Sequence, residues 1–237
     1  MSFVKNLFLG LIISVFVLIF TAFVLISSAQ TSFLNSGFVV NALDQSNVSS
    51  EAYKAVPQLA SVVSEQQFTE SFKKFISDLI NYLNGTQNEV PKFMIPNSPV
   101  NLSLDSLIKS DSLTQTRGWI VLLNSSLPLL MIAGIVILFV LLIFSGSLKE
   151  KIETMQKTFF RAGISMLISS VIAYALLTFS GNNLFPDSQS LAMLSKFLSI
   201  LLNQFLITSI ILALIPTLLS VVLFFAGKQF AKSENQN

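Results

Sequence analysis

Few residues in this chain have side chains and spacing suited to chemistry. Asp105 and Asp111 lie close enough in sequence to suggest a carboxylate pair for acid–base work, but two exposed carboxylates in a polar stretch read as solvated surface. Asn124, Ser125 and Ser126 precede Pro128 by up to one helical turn, so polar groups gather where proline leaves the Asn124 carbonyl without its helical partner. Lys149, Lys151, Lys157 and Arg161 form a basic group of the kind that anchors a membrane loop. Histidine and cysteine are absent from all 237 residues. Their absence removes disulfides, thiol nucleophiles, imidazole acid–base chemistry and the usual zinc sites. No glycine-rich phosphate loop and no Gly-x-Ser-x-Gly elbow occurs. No residue is therefore assigned to catalysis, to a cofactor or to a metal, and the expectation is a protein that is not an enzyme and uses no cofactor.

Composition explains what must position these groups. Hydrophobic residues make up 52% of the chain and charged residues 11%, with mean hydropathy +0.72. A soluble domain carries roughly 25% charged residues, so the missing charge points to surface that faces lipid. The net charge of +2 is too small, and its cations too scattered, to imply nucleic acid.

The expected fold class is all-α: an integral membrane four-helix bundle with a small helical extracytoplasmic domain between spans 1 and 2. The organising element is the hairpin Trp119–Ser180, in which the apolar runs Trp119–Phe144 and Thr158–Phe179 flank the basic loop. Each run exceeds the roughly 20 residues that cross a bilayer. Residues 1–29 hold the first span, whose apolar part Leu7–Ser27 is longer than the roughly 7–15 residues of a signal-peptide core. An uncleaved signal anchor is the expectation, with Ser27-Ser28-Ala29 as the cleavage site of the rival reading. The remaining division is 30–118 for the extracytoplasmic domain, 119–145 for the second span, 146–157 for a cytoplasmic loop and 158–180 for the third span. An outer loop with an amphipathic helix follows at 181–199, then the fourth span at 200–227 and a cytoplasmic tail at 228–237. A helix running from Ser188 to Ala226 would be about 58 Å long, about twice the hydrocarbon thickness. It must break near Asn203-Gln204 or extend beyond the membrane at its outer end. Pro128 and Pro216 both fall near the bilayer midplane, so Asn124, Pro128 and Pro216 are candidate helix-break sites.

In the polar stretch, Ser64 with Gln67 resembles a capping box. Phe68, Phe72, Phe75, Ile76, Leu79, Ile80 and Leu83 recur at helical spacing until Asn84-Gly85 closes the helix. One amphipathic helix cannot bury its own face. The face Phe68, Phe72, Phe75 and Leu79 is either domain core, against 33–43, 53–63, 102–108 or the membrane surface itself, or a partner-binding surface. The prolines from Pro91 to Pro99 read as a linker.

Positive charge near span ends favours one side: Lys5, Lys149, Lys151, Lys157, Arg161, Lys228 and Lys232 against Lys109, Arg117 and Lys196. That bias puts both termini and the basic loop in the cytoplasm of a multi-pass cell-membrane protein. Small residues in the third span, with Ser165, Ser169 and Ala173 at i, i+4 and i+8, make a ridge suited to packing another helix, a protein partner or a second copy. Four Asn-x-Ser/Thr sites occur, at Asn47, Asn84, Asn101 and Asn124.

Four spans, inside termini and a large first outer loop are the topology of tetraspanins and claudins, but those families carry cysteines in that loop and this chain has none. With Asp78–Gly85 (DLINYLNG) ending its outer helix, the chain resembles uncharacterised bacterial four-span envelope proteins. The resemblance implies the bundle and its outer helical domain and no particular activity. The expected function is a non-enzymatic membrane protein that displays the helical domain to a partner or to lipid. The alternative is a pore or carrier subunit built on proline-broken spans 2 and 4. In either case the lipid bilayer is the first partner.

Overall fold

Four predominantly apolar stretches each lie within one long helix in the computed structural model, which describes residues 3–55, 62–95, 110–180 and 189–234. These are α1 (Phe3–Ser32), α5 (Ser110–Phe144), α6 (Leu148–Ser180) and α7 (Gln189–Glu234). Between α1 and α5 lie α2 (Ser36–Ser46), α3 (Val48–Lys54) and α4 (Glu65–Leu83). All seven elements among the described residues are helical. The four long helices are long and apolar enough to cross a membrane. Only 6% of the most apolar window of α5 is buried, so its side chains present the surface that a lipid-facing helix presents.

The chain divides into two compact units: residues 1–28, 126–174 and 206–237 in unit 1, and residues 29–125 and 175–205 in unit 2. In unit 1, Leu9, Ile12 and Ile13 of α1 bury against Leu141 of α5. Val24 of α1, Met166 of α6 and Ala213 of α7 form a second buried group. Several hydroxyls in these helices bond along the backbone or to each other, which suits an apolar surrounding, while the buried Ser170 hydroxyl of α6 has no partner among the described residues. Thr158 Oγ1 donates to Thr154 O at 2.8 Å, Thr217 Oγ1 to Ala213 O at 2.9 Å, and Ser209 Oγ to Ser28 Oγ at 2.8 Å.

Gly146, at φ +76°, takes the left-handed conformation that turns the chain from α5 into α6. Ser147 then starts α6, accepting the Glu150 N–H on its hydroxyl at 3.3 Å and the Lys151 N–H on its carbonyl at 2.9 Å.

Unit 2 is built around α4. Its capping box is complete: Ser64 Oγ accepts the Gln67 N–H, and the Gln67 side chain accepts the Ser64 N–H. Phe68 and Phe75 pack with Val63, Phe93 and Ile95, and Tyr53, Phe72, Ile76 and Leu79 cover the cluster. The segment read as a proline linker therefore contributes Phe93 and Ile95 to the core. Ile80 turns to a second cluster with Val39 and Ala42 of α2 and Leu201 of α7, which Phe197 and Ile200 extend.

That second cluster explains the long fourth helix. α7 runs unbroken for 46 residues through Asn203-Gln204 and Pro216. Its first third buries an apolar face in unit 2, which removes any need to break. α5 is likewise continuous through Pro128. The expected neighbour at 102–108, together with Pro57, Asp105 and Lys109, lies outside the described residues, as does the turn at 181–188.

Candidate functional site

Unit 1 carries an open cleft of about 480 Å³ between the first turns of α1 and the first half of α6. The α1 wall is Asn6, Leu9, Gly10 and Ile13, spaced at i, i+3, i+4 and i+7. The α6 wall is Glu150, Glu153, Thr154, Lys157 and Arg161, again one helical face. Gly10 keeps the floor low, since a Cβ placed there would meet nothing within 4 Å.

On the face of α6 that lines the cleft, charge follows a gradient. Glu150 and Glu153 stand near its N-terminal end, Lys157 one turn further in and Arg161 another turn on. From Glu150 to Arg161 the rise is about 16 Å. Lys5 Nζ reaches Glu150 Oε2 at 3.3 Å and joins the start of α1 to the start of α6. Lys157 Nζ is 3.9 Å from Glu153 Oε2, a loose pair with both side chains half exposed. Arg161 is exposed, and among the described residues it has no ion pair or hydrogen bond. The arrangement can hold a ligand that carries both signs of charge. Among the described residues no three carboxylates gather to hold a metal.

The same end of unit 1 collects the other termini. A Cβ on Gly227 of α7 would stand 3.4 Å from Ile152 Cγ2, so the last turns of α7 lie beside the first turns of α6.

The sequence-derived candidates are distributed widely. Lys157 and Arg161 line the cleft, whereas Lys149 and Lys151 do not. Phe68 and Phe75 belong to the core of unit 2, and Phe72 and Leu79 pack against it half-buried. Pro128 is exposed and Asn124 half-buried on α5, while Pro216 is buried on α7. Ser165 and Ser169 face outward, and α6 meets its neighbours through Ala162, Gly163, Met166 and Ser170 instead. Glu150, Glu153, Asn6 and Gly10 went unread as site residues. The signal for the carboxylates was their place on one face with Lys157 and Arg161. That signal acquires meaning only once α1 closes the cleft. The chain matches no protein-family model, no curated protein and no solved structure.

Proposed function

We propose that this chain is a non-enzymatic, multi-pass protein of the cell envelope that displays the α2–α4 helical unit outside the membrane to bind a partner protein or lipid. Both termini and the α5–α6 turn then lie in the cytoplasm. The observation that carries the reading is the gathering of Lys5, the α5–α6 turn and the end of α7 at one end of unit 1, through the Lys5–Glu150 pair and the Gly227–Ile152 approach. That end holds Lys149, Lys151, Lys157, Arg161 and Lys228, the positive charge that is retained inside. The folded, capped α4 with its aromatic cluster supports a displayed domain in preference to a flexible loop. Unbroken helix through Pro128 and Pro216 lends the pore or carrier alternative no support.

The test uses the natural absence of cysteine. Glu89→Cys and, separately, Ser147→Cys are exposed to a membrane-impermeant maleimide on intact cells. Labelling at 89 and protection at 147 is the expected result. The opposite pattern overturns the orientation and places the displayed unit in the cytoplasm.

A further inference from the structure

We infer that the cleft between α1 and α6 is a binding site for the headgroup of a zwitterionic phospholipid with a primary ammonium, of the phosphatidylethanolamine type. The inference rests on the membrane reading above and adds a ligand class to it. Arg161 carries it furthest. This guanidinium stands one turn inside the apolar part of α6, is exposed, and meets no carboxylate among the described residues. A cation at that depth is expensive in lipid unless it reaches a counter-ion at the headgroup level. A phosphodiester is that counter-ion, and a guanidinium binds it through paired N–H donors.

The order of charges decides which phospholipid. From the hydrocarbon outward the cleft presents Arg161, Lys157, Glu153 and Glu150, two cations followed by two carboxylates. A zwitterionic headgroup presents the complement in the same direction, phosphate first and ammonium beyond it. Lys157 is held loosely by Glu153 at 3.9 Å, so it can turn to phosphate while Glu153 accepts N–H bonds from the ammonium. Glu150 is already paired to Lys5 and serves as the outer wall. A quaternary ammonium offers no N–H to Glu153, and an anionic glycerol headgroup leaves the Glu153 carboxylate facing a net negative ligand. Gly10 leaves the room that the headgroup occupies, and Leu9 and Ile13 supply an apolar edge for the start of its chains.

The test places the full chain in phosphatidylcholine vesicles with a trace of acyl-spin-labelled phosphatidylethanolamine, phosphatidylcholine or phosphatidylglycerol, and reads the motionally restricted fraction. The expected result is a preference for phosphatidylethanolamine of about tenfold over the other two. In Glu153→Gln that preference shifts toward phosphatidylglycerol, in Arg161→Gln restriction falls for all three, and in Lys149→Gln, outside the cleft, nothing changes. Equal restriction of the three lipids by a vesicle-inserted chain overturns the inference and leaves the membrane reading intact. Displacement of the labelled lipid by inorganic phosphate likewise overturns it, in favour of a free-phosphate site. A chain extracted from vesicles by carbonate overturns the membrane reading itself. Should Arg161→Gln fail to insert, the exposed Glu153→Gln decides the question alone.

Discussion

Gly163 of α6 lies against the backbone of Thr217 in α7: a Cβ at Gly163 would stand 2.8 Å from the Thr217 nitrogen and 3.0 Å from the Ala213 carbonyl oxygen. The Thr217 hydroxyl oxygen stands closer still, and the two backbone atoms cannot rotate away as that side-chain tip could. Helices in an apolar solvent gain little from hydrophobic association, and close approach at a small residue is what replaces it. Gly163→Leu should therefore lower stability by about 1–3 kcal/mol, the usual range for overpacking. Gly10→Ala, where a Cβ meets nothing within 4 Å, should not lower stability, since alanine is also the better helix former. Unfolding in mixed micelles by added dodecyl sulfate measures both. Equal midpoints for Gly163→Leu and the parent chain would mean that α6 and α7 do not meet at this glycine.

Phe75 and Phe93 meet edge to face with ring centroids 5.7 Å apart, inside the cluster that also holds Phe68. Phe75→Ala empties a buried site and should cost about 3–5 kcal/mol of unit 2 stability. Phe93→Ala should cost a comparable amount, and the double variant less than their sum, because each alone removes the same contact. Limited proteolysis across residues 62–95 of the full chain in detergent reads the effect. Strict additivity would show that the Phe93 segment is not seated on α4.

Phe93 also shows where legibility in the sequence ended. The four long helices were readable because apolar runs of more than 20 residues leave the backbone no other way to satisfy itself in lipid. The start of α4 was readable because Ser64 and Gln67 act locally. Phe93 and Ile95 were not, since prolines around them signal a linker and only the finished core reveals that α4 needs covering there. The ridge at Ser165 and Ser169 shows the complementary limit. Small residues occur all round α6, and nothing in one helix says which of its small faces α1 and α7 select. The charged cleft was half legible for the same reason. Lys157 and Arg161 stood out as span-end charges, but Asn6 and Gly10 joined them only through packing remote in sequence.

Ser64 closes the N-terminus of α4 by a reciprocal pair of bonds, Gln67 N–H to Ser64 Oγ at 3.3 Å and Ser64 N–H to Gln67 Oε1 at 3.3 Å. Removing the hydroxyl with Ser64→Ala exposes one donor of the first turn and should cost about 1 kcal/mol. Ser64→Asp keeps an acceptor and adds a charge at the positive end of the helix, so it should cost little or nothing. Amide exchange in the first turn of α4 distinguishes them. Identical exchange in the alanine and aspartate variants would show that the box contributes nothing.

Lys54 donates to Glu51 Oε1 at 2.8 Å, and that hydrogen bond and charge hold the ammonium above its ordinary value of 10.5. A raised lysine value contributes stability fully below the unfolded value and loses it as pH rises through the folded one. The end of α3 should therefore show no pH dependence from this pair between neutrality and about pH 10, and should loosen above it. The side chain is fully exposed, so the effect is small and screened by salt. Amide exchange at Ala55, extrapolated over the alkaline range and compared with Lys54→Met, checks it. An alkaline loosening that persists unchanged in Lys54→Met would assign it to another group.

Lys5 and Glu150 tie the start of α1 to the start of α6 at 3.3 Å, with side chains 32% and 39% exposed. Their attraction is partly screened, so the pair should contribute no more than about 1 kcal/mol. Its value lies in reporting which helix ends are neighbours. Lys5→Glu sets like charges against each other, Glu150→Lys does the same with the opposite sign, and the double reversal restores the pair. The two single variants should each destabilise the chain, and the double variant should recover most of the loss in the same micelle unfolding measurement. Recovery should shrink as salt is raised toward 1 M, where the screening length falls to about 3 Å. If the double variant is as unstable as the sum of the singles, the starts of α1 and α6 are apart, and the cleft between them loses one wall.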